Sequence, residues 1–235
     1  MKEKVVGILG GMGPEATIDL MNRVIKATPA EDDIDHIRMV VDNNPKVPSR
    51  IKALIEGNGP SPGPCLQEMA RKLEAWGVDF LAMPCNTAHF YHQEIQNAVS
   101  IPVLDMISLT ADAIVSAGKD IKTVGLIAST AVINLKIYKE ALAAKNIFLM
   151  APGIECQDTL MSAIKTIKTC RYGSREIKAT QETARSLVQN GAQALLVACT
   201  ELSILSGDIK AQVPIIDSSQ VLAQAIISTA RKKSC

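Results

Sequence analysis

The sequence predicts an α/β protein made of two pseudo-symmetric lobes, each a parallel sheet flanked by helices, with the active site in the cleft between them. Short apolar runs alternate with segments of helical periodicity, which is the pattern of β–α units that build parallel sheets. A stretch that runs from a glycine through an apolar strand into a cysteine occurs twice, ending at Cys85 and at Cys199. The 235 residues suffice for two lobes of about 100–120 residues each.

The repeat extends beyond the two cysteine stretches. The cysteines are 114 positions apart (199 − 85), and segments upstream and downstream match with offsets of 118 (125 − 7) and 112 (213 − 101). The matches are Gly77 with Gly191, Leu73 with Leu187, residues 5–9 with 123–127, and residues 101–105 with 213–217. We therefore predict a first lobe of residues 1–104 plus 213–235, and a second lobe of residues 105–212. The closing helix, through Ala230, would return to cover the first lobe.

The composition is that of an ordinary globular protein. Hydrophobic residues make up 47% of the chain and aromatic residues 3%, so the predicted core is aliphatic. With 25 Lys and Arg against 24 Asp and Glu, the net charge is +1, which disfavours a nucleic-acid or membrane-surface partner. The first residues resemble neither a signal peptide nor a membrane span, so we expect a cytoplasmic protein.

Six cysteines raise the question of disulfides or a metal site. Their spacing contains no C-x-x-C pair, and the expected compartment is reducing. We expect free thiols and no bound metal. The cysteines are Cys65, Cys85, Cys156, Cys170, Cys199 and Cys235.

The chain opens with a predicted buried strand at residues 5–9, a glycine turn and a helix from Pro14 to about Lys26. The glycines of the turn do not have the G-x-G-x-x-G spacing of a dinucleotide site, so we expect no nucleotide cofactor. The turn can still offer backbone N–H groups to an anion.

A second strand is predicted at residues 37–41 and leads into a polar, proline-containing loop that ends at Arg50. Loops at the carboxyl ends of parallel strands face the ligand site. Arg50 is therefore a candidate for binding a substrate carboxylate, the alternative being a solvated surface arginine. The Gly- and Pro-rich residues 57–64 form either a mobile flap or a stiff connection, before a core-facing helix over residues 66–76.

Cys85 follows the first cysteine strand, residues 80–83, and precedes a predicted helix over residues 88–99 that Asn86 and Thr87 would cap. The positive end of a helix dipole favours thiolate over thiol, so Cys85 is a candidate reactive cysteine rather than an inert buried one. His89, one turn further on, would tune Cys85, contact the ligand or be purely structural.

The second lobe repeats this arrangement with different polar groups. Ser129 and Thr130 follow its first strand and could donate hydrogen bonds to a ligand carboxylate. A helix predicted at residues 158–172 carries Lys165, Lys168 and Arg171, one of which would point into the cleft. The strand at residues 194–198 delivers Cys199, and Thr200 and Glu201 begin the next helix.

Two thiols at equivalent positions suit the inversion of a stereocentre next to a carboxylate. One thiolate removes a proton from one face, while the other thiol delivers a proton to the opposite face. A helix end would draw the cysteine pKa, about 8.5 in model compounds, toward neutrality. Backbone N–H groups at two helix starts, with a cation, would stabilise the carbanion.

At these residues the chain resembles the cofactor-independent aspartate/glutamate racemase family, and aspartate racemases most. The resemblance covers nearly the whole chain and rests on MPCNTAH at residues 83–89, ACTEL at 198–202, GILGGM at 7–12 and NNP at 43–45. It implies a PLP-independent racemase that needs no cofactor and acts as a homodimer.

The resemblance also implies roles for individual residues. Cys85 and Cys199 would be the acid/base pair, and Arg50 would receive the side-chain carboxylate. Lys168 would be the second cation, with Lys165 or Arg171 as alternatives. Glu201 stands where glutamate racemases usually have histidine, which favours aspartate as substrate. By the resemblance Met12, Asn86, Thr87 and Thr200 would line the substrate. Ser129, Thr130 and Glu201 are further substrate-binding candidates because of their positions after the strands.

Three alternatives remain open. The substrate could be glutamate or another amino acid, or the chain could be another two-cysteine isomerase, such as a maleate isomerase or hydantoin racemase. A cytoplasmic two-lobe protein that only binds a small molecule is the alternative from a different class.

Overall fold

The computed structural model describes residues 3–232, and this part of the chain divides into two compact units. One unit contains the residues up to Met106 together with those from Gln220 onward, and the other is Ile107–Ser219. Each unit contains one parallel sheet with helices packed against it, so the predicted α/β class with two parallel sheets is confirmed. Among the described residues, no helix combines the length and apolar character needed to cross a membrane.

The described part of the first unit has a parallel sheet with strand order β2-β1-β3. Val103 extends this sheet through an isolated parallel bridge to Leu81. The strands are β1 (Val6–Gly10), β2 (Met39–Asn43) and β3 (Phe80–Ala82), and the helices are α1 (Pro14–Ala27), α2 (Arg50–Leu54), α3 (Gly63–Ala75) and α4 (His92–Gln96). Short 3₁₀ turns lie at Asp33–Asp35 and Thr87–Tyr91.

The second unit has a parallel sheet with strand order β5-β4-β6-β7. Helix α5 (Met106–Ala117) leads into it, and helix α11 (Ser218–Arg231) leads out. Its strands are β4 (Thr123–Ala128), β5 (Phe148–Met150), β6 (Ala194–Ala198) and β7 (Ile215–Asp217), its other helices α6 (Thr130–Asn134), α7 (Lys139–Ala143), α8 (Ile154–Ile167), α9 (Ser174–Gln189) and α10 (Thr200–Ser203), and its 3₁₀ turn Ser206–Asp208.

Helices cover both faces of the first sheet, which explains why β1 is apolar throughout. Successive side chains of a strand point to opposite faces. Val6 and Ile8 pack in a cluster with residues of α1 and α11, whereas Leu9 belongs to a second cluster that contains residues of α3. Accordingly, β1 contains no polar residue and is buried along its whole length.

Matching glycines show that the repeat in sequence is also a repeat in packing. A Cβ atom added to Gly7 of β1 would lie 2.7 Å from Leu81, and one added to Gly125 of β4 would lie 2.9 Å from Leu195. The remaining close neighbours, Leu73 and Val78 in the first unit and Leu187 and Ala192 in the second, also match at the 114-residue offset. In both units the glycine lets the helix before the cysteine strand, α3 or α9, pack closely on the central strand.

Several predicted boundaries shift. The boundary at 212/213 put β7 in the first lobe, but β7 pairs with β6 in the second sheet, with Leu196 opposite Ile216. Helix α8 starts at Ile154 and ends at Ile167 rather than spanning 158–172, because Gly153 precedes it as an extended N-cap. Strand β2 lies two residues later than predicted, and Gly63 and Pro64 already belong to α3.

Candidate functional site

Cys85 lies at the carboxyl end of β3, in a buried stretch of the first unit. Its residue surface is 6% exposed, and its side chain belongs to the core cluster that contains Leu9 and Met12. The helix predicted at 88–99 is instead a 3₁₀ turn, Thr87–Tyr91, followed by the short α4. Asn86, the buried residue before this turn, has helical backbone angles and makes no side-chain cap to it among the described contacts, contrary to the predicted capping role.

His89 is bonded to the main chain through both ring nitrogens. Nδ1 lies 2.9 Å from the Cys85 carbonyl oxygen, and Nε2 lies 3.2 Å from the Met106 backbone nitrogen. A carbonyl only accepts and a backbone N–H only donates, so the ring is neutral with its proton on Nδ1. Burial lowers the His89 pKa, which favours the same form. This geometry matches the structural alternative for His89, since both nitrogens are occupied.

Arg50 joins the loop after β2 to the turn after β1. Its guanidinium donates hydrogen bonds to the carbonyl oxygens of Pro48 at 3.1 Å, Met12 at 3.3 Å and Val47 at 3.4 Å. The Met12 side chain is buried in the core, so its carbonyl rather than its thioether faces Arg50. Gly11 lets the turn after β1 lie close to the loop after β2. A Cβ atom at this position would overlap the backbone of Asn44, and the φ of Gly11 is +90°.

Cys199 lies at the corresponding strand end of the second unit, as the N-cap of α10. It is 6% exposed, and its Sγ donates a hydrogen bond to Oε2 of Glu201 at 3.2 Å. The other carboxylate oxygen of Glu201 lies 3.5 Å from Nζ of Lys168, the C-cap residue of α8. The three side chains are thus linked in the order thiol, carboxylate, ammonium.

The expectation that a helix end lowers the cysteine pKa is wrong for Cys199. Burial raises the pKa of the Cys199 thiol well above its usual value, and the charge of Glu201 raises it further. The Lys168 ammonium and a backbone hydrogen bond from Leu202 act in the opposite direction but are outweighed. Helix α10 has only four residues, so it offers little dipole to offset the burial.

Among the three predicted cations of the second unit, Lys168 is the one with a described ion pair to Glu201. Lys165 and Arg171 are exposed, and neither has such a contact within residues 3–232. Thr200, between the cysteine and Glu201, is 2% exposed.

Ser129 and Thr130 follow β4, but both are engaged within the unit. Ser129 caps α6, its hydroxyl accepting a hydrogen bond from the Val132 N–H at 3.4 Å. The Thr130 hydroxyl accepts one from Nε2 of Gln157 at 3.2 Å. Gln157, which is not among the predicted site residues, also donates to the Ala128 carbonyl at 3.0 Å. The predicted helix began one residue too late to include it.

The fourth residue after each cysteine fixes the cysteine's own carbonyl. The His89 ring does so in the first unit, and in the second the Ser203 backbone N–H donates to the Cys199 carbonyl at 3.0 Å. The Ser203 hydroxyl donates to Oδ1 of Asp217 at 2.6 Å, at the end of β7. His89 and Ser203 are 114 positions apart (203 − 89), so the sequence repeat contained the signal for Ser203.

Neither unit offers an evident metal centre within the described residues, where no group of three His, Cys, Asp or Glu side chains is placed to hold an ion. Cys65, Cys85, Cys156, Cys170 and Cys199 form no disulfide among the described residues, and Cys235 lies outside them. The arrangement can therefore supply thiol acid–base chemistry and backbone or cationic anion binding.

Comparison with known proteins identifies relatives of the whole chain. Residues 9–226 match a family described as Asp/Glu/Hydantoin racemase. The broad-specificity amino-acid racemase RacX of Bacillus subtilis (strain 168) is 31% identical over 238 residues, covering 96% of this chain and 97% of RacX.

Solved structures with the same fold include two racemases. An aspartate racemase of Picrophilus torridus superposes with a TM-score of 0.84 at 35% identity, covering 99% of this chain and 96% of its own. A glutamate racemase of Francisella tularensis, in complex with D-glutamate, gives a TM-score of 0.67 at 21% identity, with 97% and 81% covered. The second likeness concerns the fold alone.

Proposed function

The chain belongs to the Asp/Glu/hydantoin racemase family, and we propose that it interconverts L- and D-aspartate, with Cys85 and Cys199 as the two acid/base groups. Membership makes the protein a cofactor-independent racemase, an isomerase. The proposal adds the substrate and the two thiols. One observation carries it: each unit has a buried free thiol at the carboxyl end of the corresponding strand of a repeated β–α unit.

The proposed reaction balances without an outside reagent. A thiolate takes the α-proton of the amino acid, the pair of electrons stays on the α-carbon, and the opposite thiol gives its proton to the other face. One S–H bond forms and one breaks, so the protein ends with the same number of protons. The reverse reaction exchanges the roles of the two cysteines.

The Arg50 guanidinium, near the end of β1, favours a substrate with a side-chain carboxylate such as aspartate. A guanidinium carries five N–H donors, and Arg50 uses at most three of them on carbonyl oxygens, so a carboxylate can still bind to it. The 35% identical relative from Picrophilus torridus is an aspartate racemase, which supports the same choice.

A second candidate, a racemase of broad amino-acid specificity, is favoured by a specific contact. Lys168 pairs with Glu201, so its charge is partly used inside the protein and is less available to a second substrate carboxylate. RacX, at 31% identity, carries the description broad-specificity amino-acid racemase. Glutamate, maleate and hydantoins remain further substrates to compare.

The test is to incubate the purified protein with L-aspartate in D₂O without added cofactor. We expect optical rotation to disappear while deuterium replaces the α-proton, with an unchanged rate when hydroxylamine or a metal chelator is added. Exchange with neutral or basic amino acids at comparable kcat/KM would favour the broad-specificity candidate. Binding of aspartate without any exchange would leave the binding-protein alternative and overturn the proposal.

Two further expectations concern the protein as a whole. We propose a homodimer, on the family resemblance alone, and a cytoplasmic location, as expected from the sequence. Sedimentation velocity at enzyme-assay concentrations would show a species of twice the 25.2 kDa chain mass if the dimer forms.

A further inference from the structure

Glu201 is a buried carboxylate in contact with the Cys199 thiol rather than a solvated surface charge. Its side chain is 8% exposed, and one carboxylate oxygen accepts the Cys199 S–H at 3.2 Å. The other oxygen, Oε1, is buried with no hydrogen-bond partner in the described chain, and its nearest counter-charge is Lys168 at 3.5 Å. Burying a carboxylate costs free energy unless it is paired with an opposite charge or hydrogen-bonded.

The two cysteine stretches differ at this position. Glu201 corresponds to Thr87 in the first unit, at the same offset of 114 (201 − 87) that relates Cys199 to Cys85. A threonine hydroxyl carries no charge, whereas an ionised glutamate disfavours a negative thiolate beside it. The repeat therefore gives one thiol an anionic neighbour and the other a neutral one.

The charges that face Cys199 come from two elements. Glu201, on α10, repels a thiolate, and Lys168, at the end of α8, attracts it. Lys168 is 38% exposed and Glu201 only 8%, so water screens the charge of Lys168 more strongly than that of Glu201. The ammonium pairs with the Glu201 carboxylate and holds it beside the thiol, and its own charge offsets only part of the effect of Glu201.

We propose that Glu201 is a positioning residue that keeps the proton on Cys199 between turnovers, with Lys168 holding the Glu201 carboxylate in place. The inference rests on the proposed two-cysteine racemisation and assigns its resting state. Cys199 is then the proton donor in the free protein. In the first half-turnover its S–H proton goes to the α-carbon, while the substrate's α-proton goes to the other thiolate, so atoms and charge balance.

The experiment measures alkylation of each cysteine by iodoacetamide as a function of pH, with peptides quantified by mass spectrometry. Only the thiolate reacts, so the pH at half-maximal rate reports the ionisation of that thiol. In Glu201→Gln we expect the midpoint for Cys199 to fall by about one pH unit or more, which is roughly a tenfold faster reaction at a fixed pH below it. The midpoint for Cys85 should stay where it is in the unaltered protein.

Two lysine variants make the result specific. Lys168→Met should shift the Cys199 midpoint upward, opposite to Glu201→Gln, because it removes a positive charge. Lys165→Met removes the same charge from an exposed position of α8 and should leave the midpoint unchanged. A variant that merely loosened the fold would move Cys199 and Cys85 together.

An unchanged Cys199 midpoint in Glu201→Gln, or shifts of the same sign in Glu201→Gln and Lys168→Met, would overturn the inference. If Glu201→Gln does not fold, Glu201→Thr, which introduces the residue found at the matching position of the first unit, should lower the Cys199 midpoint in the same way, and an unchanged midpoint there would overturn the inference. The readout is independent of turnover. Opposite shifts in a protein that fails to racemise any amino acid would refute the proposed function and leave the Glu201–Cys199 assignment standing.

Discussion

At the scale of single residues, the neighbours of each sulfur decide its chemistry more than its place at a strand end. Strand position and repetition identify Cys85 and Cys199 in the sequence. The ionisation of Cys199 depends on burial and on Glu201, and the sequence does not reveal that a carboxylate two residues away turns back toward the thiol. The predicted lowering of the Cys199 pKa by a helix end is outweighed by burial and by Glu201.

The two-base proposal predicts that Cys85→Ala and Cys199→Ala each abolish racemisation. Each variant removes either the base or the acid, and general acid–base catalysis contributes roughly 10²–10⁴-fold per group. The assay is conversion of L-aspartate followed by chiral chromatography. Cys156→Ala is the matched control, a partly exposed free thiol on α8, and should retain full activity. Full activity in either catalytic variant would contradict the mechanism.

The buried His89 ring should make the stability of the protein depend on pH. Burial lowers its pKa, so the unfolded chain takes up a proton that the native protein refuses as the pH falls below about 6.5. The stabilisation is present above that pH and is lost as the pH falls toward the native pKa. Unfolding by urea between neutral and mildly acidic pH should show this slope.

His89→Leu should flatten that slope and lower stability throughout. The change leaves the buried Cys85 carbonyl and Met106 N–H without their ring partners, at a cost of about 1–3 kcal/mol for each unsatisfied group. His92→Leu is a useful comparison, since its ring makes one bond, to the Val103 carbonyl. An equally steep slope in His89→Leu would show that another group is responsible.

At the scale of elements, two glycines set how closely the helices approach the central strands. Helix propensity and strand pattern predict α3, β1 and β4, but not how closely a helix packs on a strand. The matching contacts of Gly7 and Gly125 show that both units use the same solution, with a strand glycine under a leucine of the packed helix. The repeat in sequence therefore reflects a repeated packing requirement as well as a repeated site.

Gly7→Ala should destabilise the first unit by about 1–3 kcal/mol, the usual cost of overpacking a core. Its new methyl group would lie 2.7 Å from Leu81 and 2.9 Å from Val78, both buried. Gly207→Ala is the control, because the described chain places nothing within 4 Å of its Cβ, and its effect should stay within about 0.5 kcal/mol. Equal urea midpoints for the two variants would contradict this account.

At the scale of the whole molecule, the chain leaves the first unit at α5 and returns to it with α11. Leu222 and Ile226 of α11 are fully buried in the cluster that holds Val6 and Ile8 of β1. The last helix is thus part of the first core, although almost the entire second unit lies between them in sequence. Strand β7, just before it, stays with the second sheet.

This connection predicts that damage near the carboxyl terminus destabilises the first unit. Ile226→Ala should cost about 2–5 kcal/mol, the range for deleting buried aliphatic atoms. Gln224→Ala, an exposed position of the same helix, should change stability by less than about 0.5 kcal/mol. Hydrogen exchange should show the loss of protection in β1 rather than in β4. Uniform loss across both sheets would argue that the units unfold together.

The sequence by itself determined the two-sheet α/β class, the repeat and the two cysteines, because these depend on local patterns of apolar residues, glycines and turn signals. Only the tertiary structure decided that β7 belongs to the second sheet, that Arg50 bonds three carbonyls, that Gln157 and Ser203 support the strand ends, and that Glu201 contacts Cys199. Hydrogen bonds and ionisation depend on which groups meet in a low-dielectric interior. That meeting is fixed by side-chain directions and burial, which no periodicity encodes.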